Sequence, residues 1–298
     1  MAIYVSTSCL INGDNVFDVL QSYARVNLEH VELGCSHRYI DDLAPAKFEP
    51  YDFTFIAHHY FPPPAEPFIV NLASPDPAVL SRSREHIKQA IDFCHSLGIK
   101  LFTFHAGIDF PVLIYLPFHA GFRADPAEKF RFPQDCPVAP YETAFTTFAE
   151  SLDAINSHAQ QRGIRIAIEN NVLAEYNVID GQNKFLLLCE AEEFDRLWER
   201  IASDNVGMVL DLGHLKVTSH WLNFDRYQFI NRVKDRVFAL HVHENDGQVD
   251  EHRELDENSW CLEVIGRNNF NRLPIVLESH KLTIGQIRQQ VSLIEKFV

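Results

Sequence analysis

The chain has 298 residues, of which 46% are hydrophobic and 22% charged, a globular composition that argues against disorder or a fibrous protein. Its 41 acidic against 26 basic residues give a formal net charge of −15, a field that repels polyanions and speaks against nucleic acid or an anionic membrane as partner. Six cysteines without a C-x-x-C pair, no basic run before the first apolar residues, and no apolar stretch nearing the roughly 18–20 residues of a membrane span point to a reduced, cytoplasmic chain.

Along the chain one unit recurs: an amphipathic helix, a turn, a short β-branched or aromatic run, and a polar residue at its end. "AIYVSTS" opens it, followed by the helix "NVFDVLQSYARV" and by "HVELG" with Glu32 near its end. "DFTFIAHHY" stops at His58 and His59; neighbouring strand residues face opposite ways, so only one of the two points inward. "SPDPAVLSRSREHIKQAIDFCHSLG" predicts a helix capped by Asp76 or Ser74, with Ile87, Ala90, Ile91, Cys94 and Leu97 on one face and Gly98 as its stop. "IKLFTFHAG" then ends on His105.

The plan repeats in "YETAFTTFAESLDAINSHAQQRG", with Phe145, Phe148, Leu152 and Ile155 on one face and Gly163 as its stop, before "IRIAIENN" delivers Glu169. "VGMVLDLGHL" ends its apolar run on Asp211, with His214 three residues on. The helix "NFDRYQFINRVKDR" leads into "VFALHVHEND", which carries His241 and, on the same face if the strand continues, His243. A less regular connection leads to "LPIVLESH" with Glu278, and the helix "TIGQIRQQVSLIEKFV" closes the chain.

Eight strands are thus predicted near residues 2–7, 30–34, 53–58, 100–105, 165–169, 207–211, 237–242 and 274–278. Alternation with helices implies a parallel sheet, and eight such units without a glycine-rich phosphate loop after the first strand predict one (β/α)8 TIM barrel domain over residues 1–298. In that architecture strand bodies are buried and their C-terminal ends open onto the mouth. Long segments at about 106–140 and 170–189 are expected to overhang it, either as a lid supplying apolar walls and Arg123 toward a substrate or as a packed surface excursion or oligomer contact.

A closed barrel gathers Glu169, Asp211, His241 and Glu278 from four successive strand ends around its axis. Three clustered carboxylates repel one another unless a cation neutralises them or some stay protonated, and a divalent metal answers the first need. A mixed carboxylate and imidazole set suits Mn²⁺, Zn²⁺, Co²⁺ or Fe²⁺, with Mg²⁺ less favoured. Glu32 is a candidate for substrate binding or for an ion pair with a neighbouring barrel residue, His243 a reserve ligand and substrate contact, and Asn170 and Asn171 candidates to orient Glu169. His37, His86, His95 and His158 read as structural or solvated.

The strand ends "IAIEN", "LDLGH", "ALHVHEND" and "IVLES", in this order, resemble the xylose isomerase-like barrel superfamily, which includes sugar isomerases, sugar epimerases and endonuclease IV. In its isomerase branch the resemblance implies that Glu169, Asp211, His241 and Glu278 hold one divalent ion, that the two glutamates also move protons, and that His214 lies near the substrate. The endonuclease branch implies up to three zinc ions, with His58, His105, His214, Asp250 and His252 as further ligands; "DEH" supplies the last two. Ketose epimerases commonly carry an arginine where this chain has Gly247, and "ELDENSWCLEVIG" lacks a glycine pair often found after "D-x-H" in relatives.

The expected function is a metal-dependent isomerase or epimerase of a sugar or sugar derivative, a small polyhydroxylated carbonyl compound. Glu169 and Glu278 would exchange a carbon-bound proton through a metal-stabilised enediolate while His214 polarises a substrate oxygen. The alternatives are an endonuclease IV-like multinuclear zinc phosphoesterase and a non-catalytic sugar-binding barrel. Aromatic loops at the mouth make a homo-oligomer an expectation too.

Overall fold

A computed structural model describes residues 2–34, 36–66, 68–105, 139–268, 270 and 272–298. Its eight barrel strands are β1 (Ile3–Ser6), β2 (His30–Leu33), β3 (Thr54–His58), β4 (Leu101–His105), β5 (Arg165–Glu169), β6 (Val206–Asp211), β7 (Val237–Val242) and β8 (Ile275–Leu277). Each lies beside its chain neighbour, and β8 returns to β1 through the parallel register Ile3 to Ile275, so the barrel has no open edge.

The eight α-helices among the described residues are α1 (Val16–Ala24), α2 (Pro77–Ser96), α3 (Tyr141–Gln161), α4 (Ala191–Ile201), α5 (Leu212–Trp221), α6 (Arg226–Val233), α7 (Trp260–Arg267) and α8 (Ile284–Ile294). Their ends follow local chemistry. Asp76 caps α2 by accepting from Ala78 N and Val79 N, and Thr283 caps α8 in a reciprocal box with Gln286. Gly98 and Gly163 end the turns after α2 and α3 at φ +72° and +64°, a backbone region that side chains disfavour. No helix among the described residues is long and apolar enough to cross a membrane.

Side-chain alternation sorts the strands into an outer and an inner face. Outward residues such as Val5, Leu33, Phe102, Ile166, Leu210 and Leu240 join helix residues such as Leu20, Ile91, Leu152 and Ile287 in the main core. Inward, Tyr4, Ile56, Leu101, Ala167, Val209, Ala239 and Val276 form a separate apolar plug. Two residues further along each strand the same face is polar: Ser6, His58, Thr103, Glu169, Asp211, His241 and Glu278. The apolar plug therefore floors a polar chamber.

Two helices differ from the sequence reading: α5 starts directly after Asp211, and α7 fills the connection that looked irregular. Among its described residues the β2–β3 connection holds no α-helix, only a short 3-10 turn at Pro45–Lys47. Segment 170–189 contains a 3-10 turn at Glu175–Asn177 and a two-stranded turn, and its Leu173, Phe185, Leu186 and Cys189 pack with Ile69 and Leu222. Residues 106–138, Arg123 among them, lie outside the described residues. Cys9, Cys94, Cys189 and Cys261 are buried free thiols.

Candidate metal centre

Glu169 ends β5 at the centre of the chamber, and its two oxygens face different imidazoles. Oε2 lies 3.5 Å from His58 Nε2 on β3 and 3.5 Å from His105 Nδ1 on β4. Oε1 lies 3.3 Å from His241 Nδ1 on β7 and 3.4 Å from His214 Nδ1 on α5. His241 Nδ1 is also 3.1 Å from Glu278 Oε2 and 4.0 Å from Asp211 Oδ2. Beyond Asp211 lies a further group, in which Asp250 Oδ2 is 3.3 Å from His214 Nε2 and 2.9 Å from His252 Nε2.

Several of the histidines are held from behind by one ring nitrogen. His241 Nε2 donates to Glu32 Oε2 at 3.0 Å, which leaves Nδ1 facing the three carboxylates. His58 Nδ1 donates to the Thr103 hydroxyl at 2.8 Å, and that hydroxyl donates onward to the Ala57 carbonyl. His214 Nδ1 donates to the Asn170 carbonyl and His252 Nδ1 to the Glu278 carbonyl, at 3.0 and 2.9 Å. A nitrogen fixed in this way sets the tautomer and presents the other as an acceptor, the arrangement of metal-bound imidazoles.

In the metal-free chain the carboxylates and imidazoles compensate one another's charge. Burial alone would push the carboxylates up, yet the surrounding imidazoles hold Glu169, Asp211, Asp250 and Glu278 below the usual carboxylate range. Burial would likewise push the imidazoles down, yet the carboxylates hold His214 and His241 well above their usual value and raise His252 to about 9. In the metal-free chain, protons on imidazole stand where positive charge is wanted.

Protons do not satisfy the geometry. Both Glu169 oxygens, Asp211 Oδ2, Asp250 Oδ1 and His241 Nδ1 are buried without a hydrogen-bond partner, a costly state unless something binds them. Two donors bound at 2.0–2.2 Å to one tetrahedral ion lie about 3.4 Å apart, close to the 3.1–3.6 Å separations here. Glu169, Asp211, His241 and Glu278 place one donor each within 4.8 Å of one another, as do His58, His105 and Glu169, and His214, His243, Asp250 and His252. The donor set fits a divalent ion of the Mn²⁺, Zn²⁺ or Co²⁺ kind.

The remaining expected residues fall as follows. His58 turns into the chamber, whereas His59 packs against Tyr60 and His86. Glu32 is fully buried beside His241, in the ion pair that is its other expected role. His243 lies past the end of β7 and turns toward Asp211 and Asp250 rather than toward Glu169. Asn170 does not orient the Glu169 carboxylate: its side chain brackets the Asp211 backbone, donating to the carbonyl at 3.0 Å and accepting from the amide at 2.9 Å. Asn171 instead donates to Leu187 O. Both sit beyond the strand end, where the chain turns off the barrel axis.

Gly247, in place of the expected arginine, has φ +83° and donates its amide to the Asn245 side chain, a tight turn that a long side chain would strain. Sequence reasoning missed His280, whose ring stacks on His252 at 4.1 Å and 2°.

The family described as xylose isomerase-like TIM barrel matches residues 37–296. The uncharacterized protein MJ1614 of Methanocaldococcus jannaschii is 23% identical over 276 residues, covering 91% of this chain and 87% of that one. Among solved structures, a D-tagatose 3-epimerase-like protein superposes with TM-score 0.70 at 18% identity, over 100% of this chain and 97% of that one. The TTHB071 protein of Thermus thermophilus, from a crystal soaked with ZnCl2, superposes with TM-score 0.59 at 18% identity, over 99% and 98%.

Proposed function

The chain belongs to the xylose isomerase-like TIM barrel family, and from that premise we propose that it is a divalent-metal-dependent isomerase or epimerase of a sugar or sugar derivative. The carrying observation is the pair Glu169 and Glu278, which approach one imidazole nitrogen, His241 Nδ1, at 3.3 and 3.1 Å. Likeness to the D-tagatose 3-epimerase-like protein agrees with this choice of substrate class.

Glu169, Asp211, His241 and Glu278 would hold the ion. When bound, it supplies Lewis-acid polarisation of adjacent carbonyl and hydroxyl oxygens. The protein then has to take a proton from the hydroxyl-bearing carbon next to the carbonyl and return one. Glu169 and Glu278 are the two carboxylates for that exchange, each kept ionised in the metal-free chain by its imidazole neighbours. His214, fixed by the Asn170 carbonyl, orients a substrate oxygen. Segment 170–189 would cover the mouth and exclude water.

Glu278→Gln keeps shape and removes the base. It should abolish uptake of solvent deuterium into a sugar substrate while circular dichroism stays unchanged; undiminished exchange would sink the assignment. A second reading rests on a separate observation, the further donor groups around His58 with His105 and around Asp250 with His252. They support a multinuclear zinc phosphoesterase. Zinc-loaded protein that cleaves abasic DNA or simple phosphodiesters would put that reading first, although a net charge of −15 opposes a DNA substrate.

A further inference from the structure

Neither reading uses His243. Its side chain is fully buried, and neither ring nitrogen has a hydrogen-bond partner. Nε2 lies 3.2 Å from Asp211 Oδ2 and 3.6 Å from Asp250 Oδ1, two oxygens that are themselves unpartnered. A polar ring buried in this way is costly unless a ligand completes it.

The surrounding structure is built to hold the ring there. After β7 the chain turns back so that Glu244 and Arg253 exchange backbone hydrogen bonds of 2.9 and 2.8 Å, which lays His252 over His243 with ring centroids 3.8 Å apart. Lys216 on α5 ties down the start of this loop, donating to Glu244 Oε1 at 2.5 Å and to Asn245 O at 2.6 Å. The wall opposite is Gly213, where an added Cβ would meet His243 Cε1 at 2.1 Å, so the helix opens a slot for this imidazole.

We propose that His243, through Nε2, is a fourth protein ligand to a divalent ion held with His214, Asp250 and His252, closing that group into three imidazoles and one carboxylate. The four residues each offer a donor within 4.8 Å of the others. His214 and His252 have already committed Nδ1 to backbone carbonyls, so each offers Nε2. Four protein donors leave a tetrahedral ion no position for water or substrate. The ion would therefore fasten the 243–253 loop to α5 rather than take part in chemistry. The competing account is that His243 Nε2 only donates to Asp211 Oδ2.

The deciding experiment is a crystal structure of the zinc-loaded protein with anomalous data at the zinc edge. A peak at bonding distance, about 2.0–2.1 Å, from Nε2 of His214, His243 and His252 and from an Asp250 oxygen is the expected result. A peak bound by His214, Asp250 and His252 alone, or none in this group, overturns the proposal. In solution, His243→Asn should release one zinc equivalent to a chelator more than about tenfold faster than the unsubstituted chain, the low end of what even an outer partner of a ligand contributes. The zinc at Glu169 should be retained; unchanged release of both overturns the assignment. The isomerase reading rests on Glu169, Asp211, His241 and Glu278 and survives either outcome; only the role given there to His214 changes, because an ion on its Nε2 leaves no ring nitrogen for a substrate oxygen.

Discussion

Replacing Glu32 by glutamine tests whether its carboxylate acts through His241. The pair is fully buried, with Glu32 Oε2 3.0 Å from His241 Nε2. At an effective dielectric of about 20, unit charges at that distance attract by roughly 5 kcal/mol, most of it offset by desolvation. Glutamine keeps an oxygen to accept the Nε2 hydrogen, so Glu32→Gln loses only the charge that makes His241 Nδ1 a better donor. The expected cost is about tenfold in metal affinity, ~1.4 kcal/mol. Glu32→Ala also strands the Nε2 hydrogen and should cost about 100-fold, ~2.8 kcal/mol. Competition with a chelator of known affinity measures both without any substrate. The reasoning fails if Glu32→Gln binds metal as tightly as the native chain while KM for a sugar rises, because Glu32 would then address substrate.

Two further outcomes follow from the metal-free chain and from Gly213. Asp250 raises His252 from 6.5 to about 9 against the lowering effect of burial; a raised folded-state pKa gives stability that is full below the unfolded value and lost as pH rises through the folded one. The melting temperature of metal-free protein should therefore fall between pH 6.5 and about 9, while that of zinc-loaded protein, whose His252 has given up the proton, should not. Parallel declines would refute this account. Gly213→Ala drives a methyl into the His243 ring, 2.1 Å from Cε1, and should cost about 1–3 kcal/mol, lowering Tm by roughly 2–4 °C for each. An unchanged melt would mean that the slot is not needed.

The barrel was legible because strands buried on both faces read as short continuous apolar runs, and each of the eight lies within one or two residues of its expected place. Helix α5 was not, since Leu212, Gly213, His214, Leu215, Val217, Thr218 and Ser219 are all buried and leave no apolar and polar faces to give a period. Helix α7 has only eight residues, too few for a pattern to stand out. The chamber's inward residues were visible as polar endings on apolar runs. What supports them was not: Glu32 reaches His241 across 209 positions, Thr103 reaches His58 across 45, and no local spacing encodes either contact. Asn170 was noticed, but the backbone it holds belongs to the next strand.

Glu169 splits its oxygens between two donor groups, Oε2 toward His58 and His105 and Oε1 toward His241. Were both groups to take an ion, one carboxylate shared in this way would make the two positions a single linked system. An ion on either oxygen draws on the same negative charge and confronts the other with a positive neighbour, so each weakens the other's hold by an equal factor, whichever arrives first. The position with Asp211 and Glu278 has two further carboxylates and would fill at low metal concentration. The His58–His105 position, with none of its own, would fill later and empty first, so the barrel would respond to metal supply in steps.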